Sequence, residues 1–297
     1  METAKKITSL DALIPNKENP EYLCNFKEDD WTFDYFAHIT GQKNLIVFFS
    51  GIIPVQKMKR IVPYLSKWSW GKYLEFDYDI ISANDPSLYL DNKIVGCWGQ
   101  GFCDDWVFSR VLKHIFYIQQ NNNYERIIFN GGSQGGFLSL QAATLMPSIP
   151  PPHTQRSALI QFVAENPQIS LLKYTHKSAM DNLAHLCYNE KTIYCVDKKH
   201  LYKLDIVELI KKYNYVPNGL IVIKESDTHH YNAHIKYLLD NIPAQQRNNL
   251  KIEVIPKSID NSGHVPFPLN NPNDFIKRLE YLNIMANMYK NYDKYYC

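Results

Sequence analysis

The sequence predicts a three-layer α/β domain in which six to eight mostly parallel strands form a central sheet with helices on both faces. Short apolar runs alternate with segments of helical periodicity along most of the 297-residue chain. These runs are apolar throughout, as is typical of parallel strands that are buried on both faces. We therefore expect one domain over residues 1–297, with residues 1–40 as an edge or cap segment and 147–190 as a cap insertion.

The predicted elements of the first half follow from simple periodicity. Residues 104–120 carry apolar side chains at helical spacing, and the other elements are short apolar runs or their connections. We predict a strand at 45–49, a helix at about 55–67, an apolar segment at 73–76, a helix at 104–120 and a strand at 126–129.

The second half continues the same alternation. Pro147 marks the end of a helix, because proline lacks the backbone N–H that a helix interior needs. We predict strands at 158–164, 220–223 and 251–255, and helical segments at 135–146, 169–187, about 232–241 and 274–289.

Composition and charge exclude several classes of protein. The 32 lysines and arginines are balanced by 30 acidic residues, so no global positive field would hold nucleic acid. The first residues carry no apolar signal segment, and the longest apolar run, at 45–55, is too short to cross a bilayer. Six scattered cysteines without a CxxC pair predict reduced thiols. We expect a cytoplasmic protein with at most peripheral membrane association.

A Gly-x-Ser-x-Gly turn follows the predicted strand at 126–129 and leads into the next helix. Gly131 and Gly135 flank Ser133, where side chains would collide with neighbouring backbone in a sharp turn. Such a turn lifts the serine hydroxyl off the sheet, and the backbone N–H of Gln134 can then face a developing oxyanion. A plain glycine-rich turn that binds phosphate is the alternative. The motif predicts a serine nucleophile.

Two later loops supply an acid and a base in the chain order that serine hydrolases of this architecture use. Asp227 follows the strand at 220–223, with Glu225 as the alternative carboxylate and helix capping as its ordinary role. His264 lies in a glycine-containing loop after the last predicted strand, beyond both other candidates. We expect Asp227 to hold one ring nitrogen while the other reaches Ser133.

The turn after the strand at 45–49 is expected to complete the oxyanion hole. In this architecture that turn provides the second backbone N–H donor. Gly51 or Ile52 would supply it, and the sequence leaves both open.

With these residues placed, the chain resembles the α/β-hydrolase superfamily over roughly residues 40–290. Within it, the chain looks most like the serine-dependent O-acetyltransferases of bacterial capsular polysaccharide, of the meningococcal serogroup A type. One matching motif is the turn from Phe49-Ser50 to Pro54 after the early strand. The others are Gly135-Gly136, Asn166-Pro167-Gln168, Asp227-Thr228-His229-His230 and the Ser-Gly-His loop that ends at His264. Ser50-Gly51 departs from the commoner His-Gly at the oxyanion turn.

The resemblance implies an acetyl-enzyme at Ser133, with acetyl-CoA as donor and a sugar hydroxyl of a polysaccharide or oligosaccharide as acceptor. Gln168, Trp98 and Trp106 are candidates for contacting such a substrate. An esterase or carbohydrate deacetylase with the same triad is the alternative, and a non-enzymatic binding module is a more distant one. We expect no resident cofactor.

Two further sequence features have ordinary interpretations beside functional ones. His230 and His234 form a helical i, i+4 pair, but no third ligand stands at a motif spacing, so we expect no metal site. The basic run at 57–60 is interpreted as a solvated helix face, the alternative being contact with a phosphorylated polymer or an anionic membrane.

Overall fold

Nine strands form one sheet in a computed structural model of the protein, which describes residues 3–53, 63–91, 94–149, 158–264, 269 and 271–296. Their order across the sheet is β1-β2-β3-β5-β4-β6-β7-β8-β9. The strands are β1 (Lys5–Ile7), β2 (Glu21–Glu28), β3 (Trp31–His38), β4 (Asn44–Phe49), β5 (Tyr78–Ala83), β6 (Arg126–Gly132), β7 (Leu159–Glu165), β8 (Gly219–Lys224) and β9 (Leu250–Ile255).

Helices connect the strands. They are α1 (Gly71–Leu74), α2 (Val107–Asn122), α3 (Gln134–Leu145), α4 (Lys177–Tyr188), α5 (Leu201–Leu204), α6 (Ile206–Tyr213), α7 (Thr228–His230), α8 (Lys236–Asn241) and α9 (Pro272–Tyr296). A π-helical turn, Tyr231–Ile235, joins α7 to α8.

Two hydrophobic layers cover the sheet, one on each face. In β4, Val47 and Phe49 belong to the layer that also contains residues of α2, α3, α4 and α6, whereas Ile46 and Phe48 belong to the layer of α1 and α9. Adjacent strand residues point to opposite faces, so a strand that is apolar throughout contributes to both layers. The predicted three-layer α/β class is confirmed.

The sheet has more strands than the six to eight expected, because the amino-terminal segment is part of it. β2 and β3 pair antiparallel, β3 pairs antiparallel with β5, and β1 pairs parallel with β2. Residues 5–38 thus form the edge rather than a separate cap. The proposed single domain and the cap insertion at 147–190 stay predictions, although β7 lies within that range and inside the sheet.

Apolar periodicity does not predict the strand at 78–83, because a buried acid interrupts its apolar run. Asp79 is fully buried and accepts hydrogen bonds from the backbone N–H groups of Thr40, Gly41 and Gln42. Tyr124 donates to the same carboxylate at 2.8 Å. Of the neighbouring segment at 73–76, residues 73 and 74 belong to α1. The helix expected at 55–67 falls mostly outside the described residues, and the basic run at 57–60 falls wholly outside them.

Candidate active site

The carboxyl ends of six parallel strands share one edge of the sheet. β5, β4, β6, β7, β8 and β9 are paired in parallel, each strand with its neighbour in that order. In an open α/β sheet, ligands bind outside the carboxyl ends of the strands. The loops after β4, β6, β7, β8 and β9 therefore define the candidate site.

Ser133 occupies a sharp turn between β6 and α3. Its backbone has φ 52° and ψ −112°, a conformation that non-glycine residues rarely adopt. A Cβ on Gly131 would lie 2.5 Å from the backbone of Gly135, and a Cβ on Gly135 would lie 2.4 Å from the carbonyl oxygen of Phe49. Both glycines are thus required by close backbone approach, as the motif predicts.

The hydroxyl of Ser133 accepts a hydrogen bond from Gln168. The Nε2–H of Gln168 lies 3.1 Å from Ser133 Oγ, and the Nε1–H of Trp98 donates to Gln168 Oε1 at 2.6 Å. Because an indole N–H only donates, it fixes the orientation of the amide and turns the NH2 group towards the serine. Trp98 is fully buried and reaches the site through Gln168, and a direct substrate contact of Trp98 stays a prediction.

Asp227 and His264 are hydrogen-bonded to each other. The distance between His264 Nδ1 and Asp227 Oδ2 is 2.7 Å. Burial of Asp227 opposes its ionisation, but hydrogen bonds from His230 and His264 outweigh burial and hold its pKa well below the usual range. Glu225, the alternative carboxylate, is exposed and accepts a hydrogen bond from the backbone N–H of Lys257.

The loops that carry Asp227 and His264 are joined to each other. Lys224, at the buried end of β8, donates to Ser262 Oγ at 2.6 Å and pairs with Asp260 at 2.8 Å. That pairing with Lys224 lowers the pKa of Asp260 to about 2. The hydroxyl of Ser226 accepts from the backbone N–H of Gly263 at 3.2 Å. These contacts fix the loop before His264 against the end of β8.

The last residue of β7 and the residue after it contact the serine and the histidine. The carbonyl of Glu165 accepts from the backbone N–H of Ser133 at 2.9 Å. Asn166 donates from Nδ2 to the carbonyl of His264 at 3.1 Å, and its Oδ1 accepts from the backbone N–H of Lys224. Ser133 and the Asp227–His264 pair are therefore brought to the same edge of the sheet.

The expected oxyanion donors lie at the junction of β4 and α3. Gln134 is the first residue of α3, so its backbone N–H is one of those that a helix leaves without an internal partner. A Cβ on Gly96 would lie 1.9 Å from Gln134 Oε1 and 3.0 Å from Ile52 Cγ2, which places both side chains against Gly96. Gly51, next to Ile52, stays an equal candidate for the second donor.

Trp106 packs among other side chains. Its ring lies 5.6 Å from that of Tyr202 and 6.4 Å from that of Phe108, with the ammonium group of Lys203 5.8 Å from its ring centre. A substrate contact of Trp106 stays a prediction.

Two histidines share the carboxylate of Asp227. His230 Nδ1 lies 3.0 Å from Asp227 Oδ1, and the ring of His230 stacks on that of His264 with centroids 4.1 Å apart and planes inclined by 12°. Asp227, His230 and His264 each offer a metal-ligating atom within 4.8 Å of the others. Nearly parallel rings direct their in-plane lone pairs side by side rather than towards one point, so we interpret this cluster as a hydrogen-bonded set.

A buried ion pair that the sequence does not reveal lies at the ends of β6 and β7. The ammonium group of Lys67 contacts the fully buried carboxylate of Glu165 and lies 2.9 Å from Asn130 Oδ1. The second oxygen of Glu165 accepts from the backbone N–H of Leu269 at 3.1 Å. Glu165, a charged residue at the end of an apolar run, was the available signal. Its partner, Lys67, lies 98 residues away in the sequence.

None of the described helices is both long and apolar enough to span a membrane.

Comparison with solved structures defines the fold class as α/β-hydrolase. The chain is similar to the capsule O-acetyltransferase of Neisseria meningitidis serogroup A, with TM-score 0.51, 18% identity, and coverage of 89% of this chain and 93% of that one. It is also similar to an esterase of Pyrococcus furiosus, with TM-score 0.53, 11% identity, and coverage of 94% and 96%. An acylaminoacyl peptidase matches with TM-score 0.54 and 16% identity over 91% of this chain and 41% of that one.

Comparison of the sequence with known proteins does not identify a family. No family model matches the chain, and no curated protein matches it. At these identities the structural similarity defines the fold alone.

Proposed function

We propose that the protein is a serine acyltransferase that moves an acetyl group from acetyl-CoA to a hydroxyl of a bacterial surface polysaccharide. The observation that carries this proposal is the arrangement at the sheet edge. Ser133 stands in a strained turn, and the residues after β7 connect it to the hydrogen-bonded Asp227–His264 pair. Nucleophile, base and orienting acid are recognised by such geometry and by their roles.

In the first half-reaction His264 accepts the proton of Ser133 while Oγ attacks the thioester carbonyl. The negative charge that develops on the carbonyl oxygen is bound by the N–H of Gln134 and by that of Gly51 or Ile52. Asp227 holds the tautomer of His264 and stabilises the imidazolium. The intermediate then collapses, the C–S bond breaks, and the imidazolium proton passes to the departing thiolate, which leaves an acetyl ester on Ser133.

In the second half-reaction a sugar hydroxyl takes the position that the thiol left. His264 removes its proton, its oxygen attacks the ester carbonyl, and Ser133 departs and regains a proton. The ester oxygen of an acylated serine is a weaker hydrogen-bond acceptor than the free hydroxyl. We propose that Gln168 Nε2–H then binds the incoming hydroxyl oxygen, which assigns Gln168 to the acceptor.

Transfer rather than hydrolysis is supported by the low accessibility of the nucleophile. Ser133 is 1% exposed and Gln168 is fully buried. An acyl-enzyme lasts long enough to meet a sugar only where water reaches it poorly. The similarity to the meningococcal capsule O-acetyltransferase supports a polysaccharide acceptor. The similarity to an esterase over 94% of the chain supports the same triad in a serine esterase as the second candidate.

Thioester consumption separates the two candidates. Purified protein is incubated with acetyl-CoA in water alone and with a panel of capsular and other bacterial oligosaccharides, and free thiol and acetylated sugar are measured together. We expect thiol release to rise with an acceptor and to equal the acetyl ester formed. Rapid cleavage of a simple aryl ester, with no thioester consumed under any acceptor, would instead identify an esterase.

A further inference from the structure

His230 is a second histidine on the carboxylate of Asp227, and the triad does not use it. It lies three residues after Asp227, the N-cap of α7, and both its backbone N–H and its ring Nδ1 approach Asp227 Oδ1, at 3.3 and 3.0 Å. His264 occupies the other oxygen, Oδ2, at 2.7 Å. Each oxygen of the carboxylate therefore has its own imidazole.

The hydrogen-bond roles follow from charge. Asp227 is ionised and only accepts, so both histidines present a protonated Nδ1 to it. Burial lowers the pKa of His230, which keeps this ring neutral and leaves its Nε2 as an acceptor. That Nε2 is buried and has no hydrogen-bond partner among the described residues, so it does not bind Ser133 Oγ. His230 is thus not a competing base.

The ring of His230 also covers one face of His264. The two planes are 12° from parallel with centroids 4.1 Å apart, and His230 is 5% exposed while the His264 side chain is 31% exposed. His264 follows Gly263, whose φ is +74° and beside whose Cβ position no atom lies within 4 Å. The base is therefore partly exposed to solvent and has a buried ring packed against one face.

Other histidines hold His230 in place. The rings of His229 and His234 lie 5.4 and 5.2 Å from it, and His234 Nδ1 accepts from the backbone N–H of Ile169, one residue after Gln168. His234 lies within the π-helical turn Tyr231–Ile235, which directly follows His230. Such turns occur frequently at functional sites.

We propose that His230 is a positioning residue of the catalytic site, which fixes the carboxylate of Asp227 through Oδ1 and the ring plane of His264 by stacking. This inference rests on the proposed function of the triad. Two consequences follow. Loss of the ring would misalign His264 at every pH. Loss of the Nδ1 donor would leave more carboxylate charge for the imidazolium of His264 and make this base more basic.

Two substitutions separate these effects. His230→Asn keeps a donor near the position of Nδ1 and removes the ring. His230→Phe keeps a stacking ring and removes the donor. The titratable groups that face His230 are Asp227, His264, His229 and His234, and none of them is changed in either variant. His185→Phe, at an exposed histidine of α4, is the matched control.

The readout is the rate at which a fluorophosphonate labels Ser133 between pH 5 and 9, together with thermal unfolding of each variant. We expect His230→Asn to label about 10²-fold more slowly at all pH values, the size of effect that a small misplacement of catalytic groups produces. His230→Phe should move the acid limb of the profile to higher pH. His185→Phe should match the wild type.

The outcomes distinguish this inference from the function on which it rests. Labelling of both His230 variants at wild-type rates across the pH range, or rates reduced only in proportion to unfolded protein, would overturn it. A wild-type protein that is folded but not labelled would instead contradict the triad itself.

Discussion

Ser133 accepts a hydrogen bond from Gln168, and that bond leaves the serine proton free to point towards a base. The amide of Gln168 has one orientation because Trp98 donates to its oxygen at 2.6 Å. A nucleophile whose lone pair is already engaged loses less entropy when the base takes its proton. The pair Trp98–Gln168 therefore links the buried interior to the reacting oxygen.

Removal of the Gln168 amide should change how the acyl-enzyme divides between transfer to sugar and hydrolysis more than it changes the rate at which the acyl-enzyme forms. We expect Gln168→Ala to lower the ratio of sugar acetylation to hydrolysis about tenfold, the value of one hydrogen bond of about 1.4 kcal/mol. Product partitioning with and without acceptor measures the ratio. Gln100→Ala removes another buried glutamine, which bonds Lys203 and Tyr188, and serves as control. An unchanged ratio in Gln168→Ala would remove Gln168 from the acceptor site.

The two carboxylates in the loop after β8 should differ sharply in effect. Asp227→Asn cannot hold the correct tautomer of His264, and such changes in a serine triad lower kcat by about 10⁴-fold. Glu225→Gln, at the exposed acid two residues earlier, should leave kcat unchanged. Steady-state hydrolysis of an aryl acetate measures both. Equal loss in the two variants would show that the loop is disrupted rather than that Asp227 has a specific role.

At this scale the sequence predicted the sharp turn at Ser133 and the contact between Asp227 and His264, because glycine sterics and chain order are readable in the sequence. It placed His230 and Asn166 in matching motifs but assigned no role to either side chain. Their positions depend on a helix cap at Asp227 and on a left-handed backbone at Asn166, with φ 40°. Neither is specified by residue type alone.

Among the secondary-structure elements, the Lys67–Glu165 pair connects the loop after β4 to the ends of β6 and β7. The ammonium group of Lys67 also lies 4.6 Å from the ring centre of Trp70 and 5.5 Å from that of Phe275. The pair therefore contacts both the layer of α9 and the strands that carry the nucleophile. Breaking one partner of a buried pair leaves the other charge uncompensated.

Lys67→Met should destabilise the fold by about 3 kcal/mol, because the carboxylate of Glu165 would remain buried without its cation. Lys67→Met with Glu165→Gln should recover most of that loss, since the buried charge is removed. Urea unfolding of the two single variants and the double variant measures the coupling. Additive losses in the double variant would mean that the two side chains do not act as an ion pair.

The prediction of elements succeeded where apolar runs were uninterrupted and failed where buried polar groups broke them. β6, β7, β8 and β9 lie where the apolar runs are, whereas β5 contains Asp79, whose charge is satisfied by backbone N–H groups of the loop between β3 and β4. The sequence does not decide β1 to β3, because pairing at a sheet edge depends on long-range contacts.

For the whole molecule, the buried histidines make stability depend on pH. Burial lowers the pKa of His234 to about 3, whereas an unfolded chain would restore about 6.5. Above pH 6.5 the ring of His234 is neutral in both the folded and the unfolded state, so it makes its full contribution to the free energy of unfolding. As the pH falls, only the unfolded state gains the proton, so stability declines by up to about 1.4 kcal/mol per pH unit until the folded ring protonates. The lowered pKa of His230 acts in the same direction.

His234→Asn should weaken this dependence. The Oδ1 of asparagine can replace Nδ1 as the acceptor for Ile169 but does not titrate. Between pH 6 and 4.5 we expect the wild type to lose about 1 kcal/mol per pH unit more than the variant. Asp85 and Asp205, whose pKa values burial raises, contribute with opposite sign but equally in both proteins.

Urea unfolding at half-unit pH steps gives both curves, with His185→Asn as the exposed control. Carboxylates with lowered pKa, among them Asp227 and Asp260, lose their contributions to stability only below about pH 4, outside this window. Parallel curves for the wild type and His234→Asn would contradict a neutral, buried His234.

The central claim is that the oxygen of Ser133 takes the acyl group with the help of His264. Intact mass after rapid mixing with acetyl-CoA, and in parallel with an aryl acetate, tests this directly, with Ser133→Ala and His264→Ala treated alike. We predict a single added acetyl group on the wild type that peptide mapping places on Ser133, far slower addition in His264→Ala, and none in Ser133→Ala. Equal acetylation of Ser133→Ala, or a wild type that neither donor acylates, would contradict the account.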